Sequence, residues 1–146
     1  MKVLFDTNVV LDVLLDREPF AAASAQLLSR VEEGEIEGCL CATTVTTLHY
    51  LASKTVGSRR ALLAIQKLLS IFEIAPVNRP VLAAALASKL SDFEDAVLHE
   101  AAQQASAQAI VTRDPSGFKK GVLPAYSPEE LNRALDLRTP RQDPAP

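Results

Sequence analysis

The sequence predicts an α/β fold: a three-layer α/β/α sandwich around a central parallel sheet. Two observations carry that expectation. Short apolar runs of strand length alternate with longer stretches of helical spacing along nearly the whole chain. Asp6 and Asp114 each close an apolar run, and Asp95 sits early in a helix. Parallel strands would bring such residues to one carboxyl edge, where open α/β sheets place ligands.

Val3–Phe5 reads as a short buried strand, and Asn8–Leu15 as a first helix that Asp16-Arg17-Glu18-Pro19 breaks. Phe20, Ser24, Leu27, Leu28 and Val31 follow helical spacing, and Gly34 is a good stop. Ile36–Ala42 is a second strand, followed by a helix over Thr43–Ser53. Gly57-Ser58 is a turn with Ser58 as N-cap, before a helix striped by Ala61, Leu62, Ile65, Leu68 and Leu69. Phe72–Val77 is a strand and Val81–Lys89 an alanine-rich helix. Ser91 with Glu94 matches a capping box, which predicts a helix to about Gln104. Ala109–Thr112 is a strand, Asp114–Gly117 a turn, and Leu123–Tyr126 a last strand. Ser127-Pro128-Glu129-Glu130 is a second capping box and opens a terminal helix. One domain over residues 1–137 is expected, with a disordered tail over 138–146 that lacks apolar residues.

The chain has 146 residues, 48% hydrophobic and 23% charged, as in an ordinary soluble globule. Its formal charge of −3 argues against broad, charge-driven nucleic-acid binding, although bound metal would change the local sign. Cys39 and Cys41 are the only cysteines, and their spacing suits two small core residues better than a disulfide. No signal peptide and no run near the roughly 20 apolar residues of a membrane span is visible, so a cytoplasmic location is expected.

Taken singly, each acid suits a cap or a turn. Asp6 can cap the first helix, Asp92, Glu94 and Asp95 suit a helix N-terminus, and Asp114 precedes a proline. Together they make an oxygen-rich edge without an obvious cationic partner. Such a set suits Mg²⁺ or Mn²⁺, which can activate water and neutralise phosphoryl charge, the chemistry of metal-dependent nucleases.

Met1-Lys2-Val3-Leu4-Phe5-Asp6-Thr7-Asn8, Asp92-Phe93-Glu94-Asp95-Ala96 and Ile110-Val111-Thr112-Arg113-Asp114-Pro115 together resemble the acidic motifs of PIN-domain proteins, over roughly residues 1–135. The resemblance implies a PIN-like fold and Mg²⁺- or Mn²⁺-dependent ribonuclease activity on RNA. Many small members are VapC-like toxins that dimerise and are neutralised by an antitoxin. By motif, Asp6, Asp95 and Asp114 are the implied catalytic, metal-binding acids, with Asp92 a further candidate ligand and Asn8 a support beside Asp6. The family usually has a glutamate early in the helix after the second strand. Thr47 stands there, a neutral supporting residue, and relatives of the Asp-Phe-Glu-Asp form share that lack. The alternative reading is therefore a catalytically weakened PIN-fold module that binds RNA or protein. An aspartyl phosphatase would want an acid two residues after Asp6, where Asn8 stands.

Arg113 and Lys119 flank Asp114 and are the RNA-binding candidates. His99 could face the site from Asp95's helix, or be a partly exposed helix residue, and Asp12 reads as a solvated position, with contact to a second metal or to RNA through water as the alternative. Val10, Leu14, Phe20 and Leu51 are apolar candidates for the core, a dimer or an antitoxin contact.

Overall fold

The computed structural model describes residues 1–138. Five strands form one parallel sheet: β1 (Lys2–Phe5), β2 (Glu37–Cys41), β3 (Glu73–Ala75), β4 (Ala109–Val111) and β5 (Ala125–Tyr126), in the order β3-β2-β1-β4-β5. Seven α-helices connect or follow them: α1 (Thr7–Leu14), α2 (Ala21–Glu32), α3 (Ala42–Val56), α4 (Ser58–Ile71), α5 (Arg79–Leu86), α6 (Phe93–Gln104) and α7 (Pro128–Arg138). The sandwich is the architecture that the alternating pattern predicts.

Alternation along each strand sorts the core into two layers. Val3, Phe5, Leu40, Ala109 and Val111 face α1–α4 and α7, where Val10, Leu27, Leu48, Leu68 and Leu131 meet them. Leu4, Cys39, Cys41, Ala75 and Ile110 face the opposite way, against α5 and α6. Both cysteines are free and buried in that second layer, as their spacing suggests. Gly38 lets the first layer close: a Cβ there would stand 2.6 Å from the Phe72 ring, which itself meets Phe5 edge-on at 5.1 Å.

Two caps differ from the sequence reading. Gly57, at φ +87°, precedes α4, so Ser58 is its first residue and caps nothing. The cap of α6 is Asp92, whose Oδ1 accepts from the Asp95 amide at 2.9 Å. A carboxylate one place on displaced Ser91, since both residue types can cap. The Ser127 half of the second box forms, with the Glu130 amide donating to Ser127 Oγ at 3.2 Å. Arg138 is the last residue of α7, and the rest of the expected tail lies outside the described residues. Among the described residues, no helix is long and apolar enough to cross a membrane.

Candidate active site

Strand register sets the site. Phe5 pairs with Val111 across β1 and β4, and the Asp6 amide donates to the Val111 carbonyl at 2.9 Å. The residues that follow each strand, Asp6 and the Thr112–Asp114 turn, therefore leave the sheet side by side. Asp6 caps α1, with its Oδ1 accepting from the Thr7 amide at 2.7 Å. Its Oδ2 accepts from the Thr112 hydroxyl at 2.8 Å. The same hydroxyl accepts from the Asp114 amide at 3.2 Å, so Thr112 ties two of the predicted acids together.

Asp95 comes from α6, one turn inside the Asp92 cap. Its Oδ2 and the Oδ2 of Asp114 lie 3.2 and 3.8 Å from the point where a Cβ on Gly117 would stand. Both carboxylates thus converge on a residue with no side chain. Ser116 Oγ donates to the other Asp114 oxygen.

The electrostatics are those of crowded acids, with the Arg113 charge acting to lower Asp6 only as a minor contribution. Burial pushes the Asp95 carboxyl up to about 6, and Asp92, Asp6, Glu94 and Asp114 add to the shift. Burial also raises Asp6, against the hydrogen bonds from Thr112 and Thr7. Among the described residues, no group of three or more acids, histidines or cysteines is placed to hold a metal ion as it stands. The fit to a cation rests on the chemistry of the donors: carboxylate oxygens from Asp6, Asp95 and Asp114, with Asp95 raised first by burial and then by its acidic neighbours. Hard divalent ions take such a set.

Other candidates land elsewhere. Asn8 is exposed and accepts from Arg17 Nη2 at 3.4 Å. The support of Asp6 comes from Thr7 and Thr112 instead. The Thr47 hydroxyl donates to the Thr43 carbonyl of its own helix at 3.1 Å. Thr44 is the residue of α3 that bonds toward the edge, 2.9 Å from Thr7 Oγ1. Sequence reasoning missed Thr7, Thr44 and Thr112 in these roles, although Thr7 and Thr112 lie within quoted motifs.

Three readings need correction. Asp12 is fully buried and not solvated, because Arg113 and Arg17 converge on it. Arg113 is correspondingly not a free phosphate contact: its Nε donates to Asp12 Oδ2 at 2.6 Å, and its guanidinium lies 4.0 Å from the Phe20 ring centroid. His99 is 2% exposed, and its Nε2 accepts from the Leu123 amide at 3.2 Å. It braces the loop before β5, its Nδ1 lies 3.4 Å from Glu100 Oε1, and it makes no hydrogen bond to Asp6, Asp95 or Asp114.

Lys119 is exposed and makes no ion pair among the described residues. With Lys120, Ser91, Ser116 and Gly117 it lines a cleft of about 170 Å³. Gly117 belongs both to this cleft and to the meeting point of Asp95 and Asp114.

Residues 2–116 match the sequence model of the PIN domain. The chain is 23% identical over 126 residues to ribonuclease VapC1 of Aquifex aeolicus strain VF5, covering 83% of this chain and 87% of that protein. Its fold is similar to that of a chain in a toxin–antitoxin complex from Klebsiella pneumoniae, with a TM-score of 0.65, 23% identity and coverage of 86% and 97%. It is also similar to Mycobacterium tuberculosis VapC20, a sarcin–ricin loop cleaving toxin, with a TM-score of 0.65, 13% identity and coverage of 82% and 95%. With the family match spanning most of the chain and the three acidic motifs on one sheet edge, the protein is a member of the PIN-domain family.

Proposed function

We propose that this protein is a Mg²⁺- or Mn²⁺-dependent endoribonuclease and the toxin of a toxin–antitoxin pair. The observation that carries this reading is the convergence of Asp6, Asp95 and Asp114 on one sheet edge, with Asp95 pushed up to about 6 by burial and by its acidic neighbours. The similarity to ribonuclease VapC1 supports the RNA substrate. The likeness to chains from toxin–antitoxin complexes supports an antitoxin partner, and a cytoplasmic setting is part of the same reading. A homodimer is part of the same reading.

A divalent ion held by Asp6, Asp95 and Asp114 would supply an activated water and neutralise charge on the phosphoryl oxygens. The chain's own contribution is placement. Thr112 and the Thr7 amide fix both Asp6 oxygens, so that carboxylate cannot turn away from the edge. Gly117 keeps a side chain out of the space beside Asp95 Oδ2 and Asp114 Oδ2, where even a Cβ would be tight against Asp95. Lys119 lines the adjoining cleft, where its ammonium would meet a neighbouring RNA phosphate. Water attack in line at phosphorus leaves 5′-phosphate and 3′-hydroxyl ends.

The test is cleavage of a mixed structured RNA in Mn²⁺ or Mg²⁺, beside an EDTA control and an Asp6→Asn variant prepared identically. Cleavage lost in both controls, with 5′-phosphate products, is the expected result. Cyclic 2′,3′-phosphate ends, or cleavage that survives Asp6→Asn, would overturn the mechanism.

A further inference from the structure

Asp12 sits within α1 with no exposed surface, yet it carries a carboxylate. Taking a charge out of water costs several kcal/mol unless partners compensate it. An apolar residue at this place would satisfy the helix and the core equally well, so the acid answers to its partners.

Those partners are specific. Arg113 engages both carboxylate oxygens: Nε donates to Oδ2 at 2.6 Å, and Nη2 donates to Oδ1. Arg17 Nε stands 2.8 Å from Oδ1, off the line of its N–H, as an ion pair. Phe20 covers the guanidinium face of Arg113. A planar fork bound at two points and stacked on a ring has little freedom to rotate.

Arg113 directly precedes Asp114, and Asp12 belongs to the helix that Asp6 caps. One rigid helix therefore holds the first acid at its start and grips the neighbour of the third acid from its middle. We propose that Asp12 is a positioning residue for the metal edge: through Arg113 it fixes the Thr112–Asp114 turn and, with it, the Asp114 carboxylate. This rests on the nuclease reading above. A constellation that must hold to within about 0.5 Å needs such support around its ligands.

The experiment uses the full chain and two readouts: Mn²⁺ affinity by calorimetric titration, and amide hydrogen exchange across residues 112–118. The variants are Asp12→Asn, Arg113→Lys, Asp114→Asn, and each of the first two combined with Asp114→Asn. Asp12→Asn should weaken Mn²⁺ binding about 10–100-fold, the range for lost outer-shell partners. Exchange should accelerate across 112–118 and stay unchanged in β2 and β3. Arg113→Lys keeps the charge but loses the fork, and should reproduce both effects even where Asp12→Asn folds poorly. In the Asp114→Asn background neither change should weaken binding further.

Wild-type affinity in Arg113→Lys, or effects that simply add to Asp114→Asn, would overturn the positioning role while leaving the nuclease reading standing. A wild-type protein that binds no Mn²⁺ would overturn the nuclease reading and this role with it.

Discussion

The Thr112 hydroxyl stands between Asp6 and the Asp114 backbone, donating to Asp6 Oδ2 at 2.8 Å and accepting from the Asp114 amide at 3.2 Å. One small side chain thus coordinates two strand ends that the sheet only brings near. Thr112→Val is nearly isosteric but removes both bonds. It should weaken Mn²⁺ binding about tenfold or more and destabilise the fold by about 1–3 kcal/mol, since a buried acceptor and an amide lose their partners. Denaturant titration and Mn²⁺ calorimetry measure the two effects separately. Unchanged Mn²⁺ affinity would remove Thr112 from the site.

Asp95 gives a pH prediction. Its folded-state value of about 6 lies above the unperturbed 3.8, so the folded protein holds this proton more tightly than the unfolded chain. The stability this contributes is present below about pH 3.8 and is lost as pH rises toward 6. Burial and the surrounding acids here outweigh the favourable helix dipole. Asp95→Asn should therefore melt above the wild type at pH 7 by on the order of a few degrees without metal, and the gap should close near pH 4. Saturating Mn²⁺ should raise the wild-type melting temperature at pH 7 and leave the variant's unchanged. Equal melting temperatures at both pH values would contradict the crowding of these acids.

The architecture was legible because it is written locally. Val3–Phe5, Ile110 and Leu40 alternate between the two core layers as their runs imply, and the three motif acids fall on the expected edge. The supporting contacts were not legible, for a physical reason. Asp12 and Arg113 are 101 residues apart, and nothing in the local pattern of either marks the pairing. A hydrophilic residue on a short amphipathic helix reads as solvated until a distant cation is known to cover it. His99 misled in the same way, since Leu123, 24 residues on, supplies its partner. Thr112 was overlooked because a threonine ending a strand has an ordinary propensity explanation.

Asp92 offers a way to separate capping from metal binding. Its Oδ1 is committed to the Asp95 amide, and its side chain is otherwise exposed. Asp92→Asn keeps the cap and removes the charge, whereas Asp92→Ala removes both. The alanine variant should lose about 0.5–2 kcal/mol of stability and the asparagine variant almost none. RNA cleavage should survive Asp92→Asn, because the residue acts as a cap and as a neighbouring charge on Asp95. Loss of cleavage and of Mn²⁺ binding in the well-folded asparagine variant would make Asp92 a ligand after all.

Lys119 tests where the RNA runs. With Arg113 spent on Asp12, it is the remaining flanking cation of the Asp114 motif, exposed in the cleft beside Gly117. A single phosphate contact to single-stranded RNA contributes about 0.7 to the slope of log affinity against log salt. Lys119→Ala should raise KM several-fold at low salt, leave kcat nearly unchanged, and flatten the salt dependence by about that amount. Lys119→Arg should restore most of the affinity, because a phosphate contact needs the charge more than the shape. If Lys119→Ala lowered kcat and left the salt slope intact, the lysine would act on the reacting phosphate and not on a neighbouring one. No change in either would move the RNA path off this cleft, toward the opposite side of the acidic edge.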